Sequence, residues 1–133
     1  MVRVLVVEDE EDIRHLLVDQ LQDMGHEVRK ADNGAVALQR VQEETPDVIF
    51  VDIVMPVMDG LLFVAELRND PLTASIPVVL VTAVNLTDVI MRAQAVGVKH
   101  LLAKPWEQQS LNIVLDQAIQ HMSHEWDIPA LEY

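Results

Sequence analysis

Residues 2–12 read VRVLVVEDEED, a short apolar run rich in β-branched residues that stops at a block of acids. A run of this kind predicts a strand that is buried on both faces of a sheet. Apolar residues then recur at helical spacing from Ile13 to Met24, and Gly25 stands where a helix would end. The stretch therefore predicts a strand followed by a helix that ends at Gly25.

The same order recurs along the chain. A more polar run predicts a strand over 26–31, and further apolar runs predict strands over 48–51, 78–81 and 98–102. Helical patterns follow each of them, including one capped by Asp59, one from about Asn85 to Ala95 and a last stripe over 111–122. Five strands that alternate with five helices predict an α/β fold, a doubly wound parallel sheet with helices on both faces. We expect one domain over 1–122, with 123–133 as a tail or the start of a linker.

Composition excludes several classes of function. Lys and Arg number 9 against 22 Asp and Glu, for a formal charge of -13, which disfavours direct contact with nucleic acid or anionic lipid. The 4 glycines form neither a dinucleotide-binding motif nor a P-loop, and no cysteine is available for a disulfide or a thiolate metal site. No apolar run approaches the ~20 residues of a membrane span. We therefore expect a cytoplasmic domain without membrane contact.

Polar residues follow the predicted strands at the end where ligands bind in parallel sheets. These residues are Glu8, Asp9, Asp52, Thr82 and Lys104. Carboxylates that converge at one edge repel one another, and a hard divalent cation relieves that repulsion. With oxygen ligands alone, the site favours Mg²⁺ or Mn²⁺. Asp47 precedes its strand, so we place it at the opposite edge and exclude it.

Each of these residues has an ordinary explanation when it is taken alone. Glu8 and Asp9 would equally suit the acidic start of a helix, and Asp52 could be a solvated strand end. Together, however, they predict a phosphate-handling site. Asp52 would attack phosphorus, Lys104 would neutralise the phosphoryl oxygens, and the Thr82 hydroxyl would hydrogen-bond the bound group.

Residues 51–60, VDIVMPVMDG, resemble the phosphoacceptor strand and the following D-x-x-M-P-x-M-D-G turn of response regulator receiver domains. Glu8-Asp9, Val81-Thr82-Ala83 and Lys104-Pro105 match other motifs of that family, and the likeness extends from residue 1 to about 122. The resemblance implies a flavodoxin-like sheet with strand order 2-1-3-4-5. It also implies two-component, or phosphorelay, signalling.

The resemblance implies a role for each matched residue. Asp52 would accept a phosphoryl group from a histidine kinase or a phosphotransfer protein. Asp9 and Asp52 would contact Mg²⁺ directly, Glu8 would act through water, and the Val54 backbone carbonyl would supply a further ligand. Thr82 would bind the phosphoryl oxygens together with the lysine of Lys104-Pro105, whose peptide bond is expected to be cis.

A second group of residues would transmit the signal or set its lifetime. Thr82, Ala83, Leu101 and Pro105 match the family's switch region, although Leu101 stands where many members carry an aromatic residue. Val54 and Val84 would flank the path of an attacking water, and as apolar residues they would slow hydrolysis. Trp106 either anchors the last helix or contacts a partner.

Two other functions stay open at this point. A phosphatase of the haloacid-dehalogenase type would normally need a second aspartate two residues after the nucleophile, where this chain has Val54. A receiver-like module that binds a partner without being phosphorylated would usually lack an acid, the hydroxyl or the lysine. We expect neither, and expect no enzyme activity beyond the domain's own phosphorylation and dephosphorylation.

The sequence leaves the partners of the domain unnamed. We expect a histidine kinase or histidine phosphotransfer protein upstream, and a downstream protein or effector domain. The identity of the kinase, the pathway and the effector stay open. So do the oligomeric state, including a homodimer formed on phosphorylation, and whether the chain is full length.

Overall fold

The computed structural model describes residues 1–53, 55, 57–83 and 87–131, with side chains omitted for 87, 88 and 121–131. Within these ranges strands and helices alternate throughout, which confirms the predicted α/β class. The elements are β1 (Arg3–Val7), α1 (Glu11–Asp23), β2 (Glu27–Ala31), α2 (Gly34–Glu43), β3 (Val48–Asp52), α3 (Gly60–Asn69), β4 (Val78–Thr82), α4 (Thr87–Ala95), β5 (His100–Ala103) and α5 (Gln108–Leu131).

All paired strands are parallel, and the sheet has the predicted order β2-β1-β3-β4-β5. In β1 and β3, Val7 pairs with Val51, so the residues that follow them, Glu8 and Asp52, emerge side by side. The chain leaves β1 toward β2 on one side and returns to β3 on the other. This reversal opens a crevice at the carboxyl ends of the two central strands.

Two apolar layers hold the helices against the sheet, because successive strand side chains point to opposite faces. Val4 and Val6 of β1 pack in a cluster with buried residues of α1 and α5. Leu5 and Val7 of the same strand belong to a second cluster, with residues of α2, α3 and α4. β1 is therefore buried on both faces, as its apolar run predicts. In the described part of the chain, no helix combines the length and apolar character needed to cross a membrane.

Two predicted helix boundaries are confirmed at the atomic level. Gly25 has φ 93°, and its amide donates to the Gln22 carbonyl to close the end of α1. Asp59 caps α3, since its Oδ1 accepts a hydrogen bond from the Leu62 amide at 2.8 Å. Glycine adopts the positive φ of Gly25 more readily than any other residue. The short side chain of Asp59 reaches the Leu62 amide at the start of α3.

Other boundaries differ from the prediction. β3 and β4 each extend one residue further, so Asp52 and Thr82 are the last residues of their strands. β5 begins at His100 and not at residue 98, because the Val98 amide donates to the Ala93 carbonyl and belongs to the turn that ends α4.

The last helix is longer than the apolar stripe predicted over 111–122. α5 continues to Leu131, beyond the end of its apolar stripe. Helical hydrogen bonds are local, so a helix can continue past the part that packs on the core. The domain boundary at 122 stays a prediction.

Gly60 begins α3 in direct contact with the end of β3. A Cβ at this position would lie 1.9 Å from the Asp52 carbonyl oxygen, and the Gly60 amide donates to the Ile53 carbonyl at 2.8 Å. Backbone therefore packs on backbone behind the Asp52 side chain. Only glycine fits without displacing the strand end.

We expect Gly60→Ala to lower the free energy of unfolding by about 3 kcal/mol or more, because the added methyl meets backbone that has little freedom to move. Gly25→Ala is the matched control. Nothing lies within 4 Å of the Cβ added at position 25. Gly25→Ala should therefore lower the free energy of unfolding by only about 1–2 kcal/mol, the strain of a left-handed alanine. Urea denaturation of both variants measures the difference. A loss for Gly60→Ala no larger than that for Gly25→Ala would contradict the close approach.

Candidate functional site

The sheet brings all five predicted strand-end residues to one edge. Glu8 directly follows β1, and Asp52 and Thr82 end β3 and β4. Lys104 directly follows β5, and its amide donates to the Thr82 carbonyl at 2.8 Å. Asp47 lies at the opposite edge, where its Oδ2 accepts from the Arg3 amide at 2.8 Å.

Three carboxylates meet at this edge. Glu8, Asp9 and Asp52 each offer an oxygen, and these atoms all lie within 4.8 Å of one another. Glu8 and Asp52 are buried, with 2% and 8% of their surfaces exposed, whereas Asp9 is exposed. Buried carboxylates this close together require compensating positive charge.

Lys104 supplies part of that charge. Its Nζ lies 2.8 Å from Glu8 Oε1 and 3.2 Å from Asp52 Oδ2. Burial alone would lower the pKa of Lys104, but the hydrogen bonds and negative charges of Glu8 and Asp52 outweigh burial and raise it above its ordinary value. The ammonium is therefore a fixed charge next to Asp52 at neutral pH.

The lysine does not balance the cluster. Three ionised carboxylates and one ammonium leave a net charge of two negative units. The pKa of Asp9 is raised by burial, by a hydrogen bond with Glu8 and by the charge of Glu8, although its own backbone and Lys104 act in the opposite direction. A hard oxygen donor set with excess negative charge fits Mg²⁺ or Mn²⁺, and its residues are those predicted to hold the ion.

Backbone hydrogen bonds orient the acids. Asp52 Oδ1 accepts from the Ile53 amide at 2.8 Å while Oδ2 faces Lys104, so both oxygens are held in place. Glu8 Oε2 accepts from the Glu10 amide at 3.2 Å. From α1, Arg14 Nη1 donates to the Glu8 carbonyl at 3.0 Å. Our sequence reasoning missed Arg14, although a cation one turn into the helix that follows the acids was a usable signal.

The other predicted residues surround this cluster. Ala83 follows β4 at the surface, Leu101 of β5 is 39% exposed, and Pro105 follows Lys104 through a cis peptide bond, as predicted. Val54 and Val84, including the Val54 carbonyl, lie outside the described residues.

Residues next to the cluster have structural roles. Glu11 and Asp12 occupy the first turn of α1, where acids suit the helix dipole. Trp106 packs half-buried against the α1–α5 cluster, and its Nε1 donates to Gln20 Oε1 at 2.7 Å. The tryptophan therefore anchors the start of α5 against α1.

Comparison with known proteins agrees with the site. The family model of the response regulator receiver domain matches residues 4–116. The chain belongs to this family. Receiver domains are parts of two-component systems and are signalling proteins, which accords with the acids, hydroxyl and lysine at the strand ends.

Relatives of this receiver domain differ in length. PilH of Pseudomonas aeruginosa is 33% identical over 111 residues, which cover 84% of this chain and 92% of PilH. The regulatory protein AtoC of Escherichia coli is 32% identical over 126 residues, which cover 95% of this chain. The chain spans only 27% of AtoC.

Solved structures show the same fold. Chemotaxis protein CheY4 of Vibrio cholerae superposes with a TM-score of 0.85 at 34% identity, covering 89% of this chain and 98% of CheY4. NtrX of Brucella abortus superposes with a TM-score of 0.89 at 28% identity, covering 98% of this chain and 30% of NtrX. The receiver domain thus matches both a short protein and part of a longer one.

We expect Asp9→Asn to weaken Mg²⁺ binding at least about tenfold, because one negative charge leaves the cluster. Asp12→Asn, which makes the same chemical change in the exposed first turn of α1, is the control and should bind nearly as the parent does. Calorimetric titration with MgCl₂ measures both affinities. Equal affinities in the two variants would remove Asp9 from the metal site.

Proposed function

We propose that this receiver domain accepts a phosphoryl group on Asp52 and changes its contacts with a partner in response. The main support is the position of the Lys104 ammonium, 3.2 Å from Asp52 Oδ2 and also bonded to the buried Glu8. A cation fixed beside an acidic nucleophile is what transfer of a negatively charged group requires.

The proposed reaction is transfer between two nucleophiles. An Asp52 oxygen forms a bond to phosphorus as the bond from phosphorus to the donor's histidine nitrogen breaks, and the departing imidazole keeps the electron pair. Lys104 offsets the charge of the phosphoryl oxygens, and Ile53 holds the attacking carboxylate in place. Mg²⁺ held by Asp9 and Asp52, with Glu8 acting through water and the Val54 carbonyl as a further ligand, would add positive charge for the same oxygens.

Thr82 is the proposed sensor of the modification. It is buried at the end of β4, and its carbonyl accepts the Lys104 amide. A hydroxyl that turns toward the phosphoryl group would move the adjoining Ala83. From there the change would reach Leu101 and Pro105 on the neighbouring strand and loop.

The proposed donor is a histidine kinase or a histidine phosphotransfer protein, and the receiver would act on a downstream protein or effector domain. Slow hydrolysis controlled by Val54 and Val84 is a further part of the proposal that rests on the sequence alone. The cytoplasmic location also stays a prediction. A phosphatase and a partner-binding module that is not phosphorylated are distinguished by the first experiment below.

We expect acetyl phosphate with Mg²⁺ to add one phosphoryl group to the chain and none to Asp52→Asn, because an amide is a poor nucleophile for phosphorus. Intact-mass spectrometry measures the adduct. Asp47→Asn is the control at the opposite edge, and it keeps an oxygen acceptor for the Arg3 amide. Catalytic hydrolysis of acetyl phosphate without an adduct would favour the phosphatase. A parent chain that neither hydrolyses acetyl phosphate nor becomes labelled would favour the module that is not phosphorylated. Labelling of Asp52→Asn would place the acceptor elsewhere.

We expect Thr82→Ala to bind beryllofluoride but to lose most of the amide shift changes that the ligand causes at Ala83 and along β5 and α5. Thr82→Ser should restore them, since it keeps the hydroxyl. Two-dimensional NMR with and without beryllofluoride measures the response. Equal changes in Thr82→Ala and the parent would refute the sensor role.

A further inference from the structure

A basic cavity of about 330 Å³ lies beside the acidic cluster, between α1, β2 and α2. Its lining residues are Arg14, Lys30, Ala31, Asp32, Val36 and Arg40. Three cations face a single acid there, although the whole chain carries 22 acids and only 9 lysines and arginines. The local charge is thus opposite in sign to that of the molecule.

The two guanidinium groups are held from behind by backbone carbonyls. Arg14 Nη1 donates to the carbonyls of Glu8 and Asp9, at 3.0 and 3.4 Å. Arg40 Nε donates to the Lys30 carbonyl at 3.2 Å, and its Nη1 lies 3.5 Å from Glu43 Oε1. These bonds fix the planar groups and leave the remaining edge of each guanidinium with donors to offer.

Lys30 adds a third positive charge at the rim. Its side chain is exposed, and in the part of the chain that the structure describes it has neither a hydrogen bond nor an ion pair. Cations that share one cavity repel one another unless an anion joins them. Asp32 in the lining and Glu43 beside Arg40 neutralise only part of this charge, and Asp32 Oδ1 also accepts from the Asn33 side chain.

We propose that this cavity binds a small molecule that carries a phosphate group. Guanidinium groups match the geometry of phosphate oxygens, and a lysine adds a point charge. The apolar side chains of Ala31 and Val36 would receive the organic part of such a molecule. The volume is near the lower limit of small-ligand sites, about 300 Å³. The site is separate from Asp52 and does not depend on the proposed phosphorylation.

The test is a titration of the intact ¹⁵N-labelled chain with inorganic phosphate in Mg²⁺-free buffer at pH 7.5. Sodium chloride at matched ionic strength and sodium succinate, a dicarboxylate, are run in parallel. We expect saturable shifts confined to amides at 14, 30–32, 36 and 40 with phosphate, and much weaker ones with the other salts. Lys30→Gln should weaken phosphate binding about five- to tenfold, since one charge-assisted contact is lost. Arg92→Gln on the exposed face of α4 is the control of equal charge and should leave affinity unchanged.

Several outcomes would overturn the proposal. Shifts that follow ionic strength alone would show that no anion site exists. Tighter binding of succinate than of phosphate would reassign the cavity to carboxylates, which includes the acidic side chains of a protein partner. An equal loss of phosphate affinity in Lys30→Gln and Arg92→Gln would show a general effect of net charge. Because Mg²⁺ and a phosphodonor are both left out, none of these results bears on phosphorylation of Asp52.

Discussion

The buried ion cluster of Glu8, Asp52 and Lys104 is the constraint on which the carboxyl edge of this sheet depends. Two carboxylates emerge from adjacent strands and are almost fully buried, and either alone would be costly to bury. The ammonium contacts both, so the ends of β1, β3 and β5 are tied through one atom. Removing the ammonium would leave two buried carboxylates without a compensating charge. The same cluster that the proposed phosphorylation would use also holds these strand ends together.

The cluster requires a particular strand order and close backbone packing behind it. Because β1 and β3 are neighbours, Glu8 and Asp52 are brought together by pairing alone, without a special loop. Gly60 then lets the start of α3 rest on the carbonyl of Asp52, which leaves the carboxylate facing the crevice. Hydrogen bonds from Ile53 and Lys104 fix its rotation. Position is thus set by topology and orientation by local bonds.

The difference between topology and local hydrogen bonds explains how much could be predicted from the sequence. The alternation of apolar runs and helical stripes predicts a parallel sheet, so the edge that carries Glu8, Asp52, Thr82 and Lys104 was predictable. The strand order came from the resemblance to receiver domains. Caps such as Asp59 were predictable because their chemistry is local. The start of β5 was not, since the Val98 amide bonds back to α4, and the end of α5 was not, since a helix can outlast its apolar stripe. The basic cavity also escaped prediction, because Arg14, Lys30 and Arg40 come from three elements and share no motif.

Under the proposed function, phosphorylation acts first on the charge balance around Lys104. In the structure its ammonium is divided between Glu8 and Asp52, and a phosphoryl group on Asp52 would add negative oxygens on one side only. The backbone of Lys104 is bonded to the Thr82 carbonyl, so a shift of the lysine and a turn of the Thr82 side chain act on the same pair of strand ends. β5 lies at the sheet edge with Leu101 partly exposed, and it has a paired strand on one side only. Among the strands whose ends carry the site (β1, β3, β4 and β5), it is the one at an edge of the sheet, so it can move with less loss of packing than the other three. A signal that begins with charge at the centre of the sheet would then emerge as a change of surface at this edge.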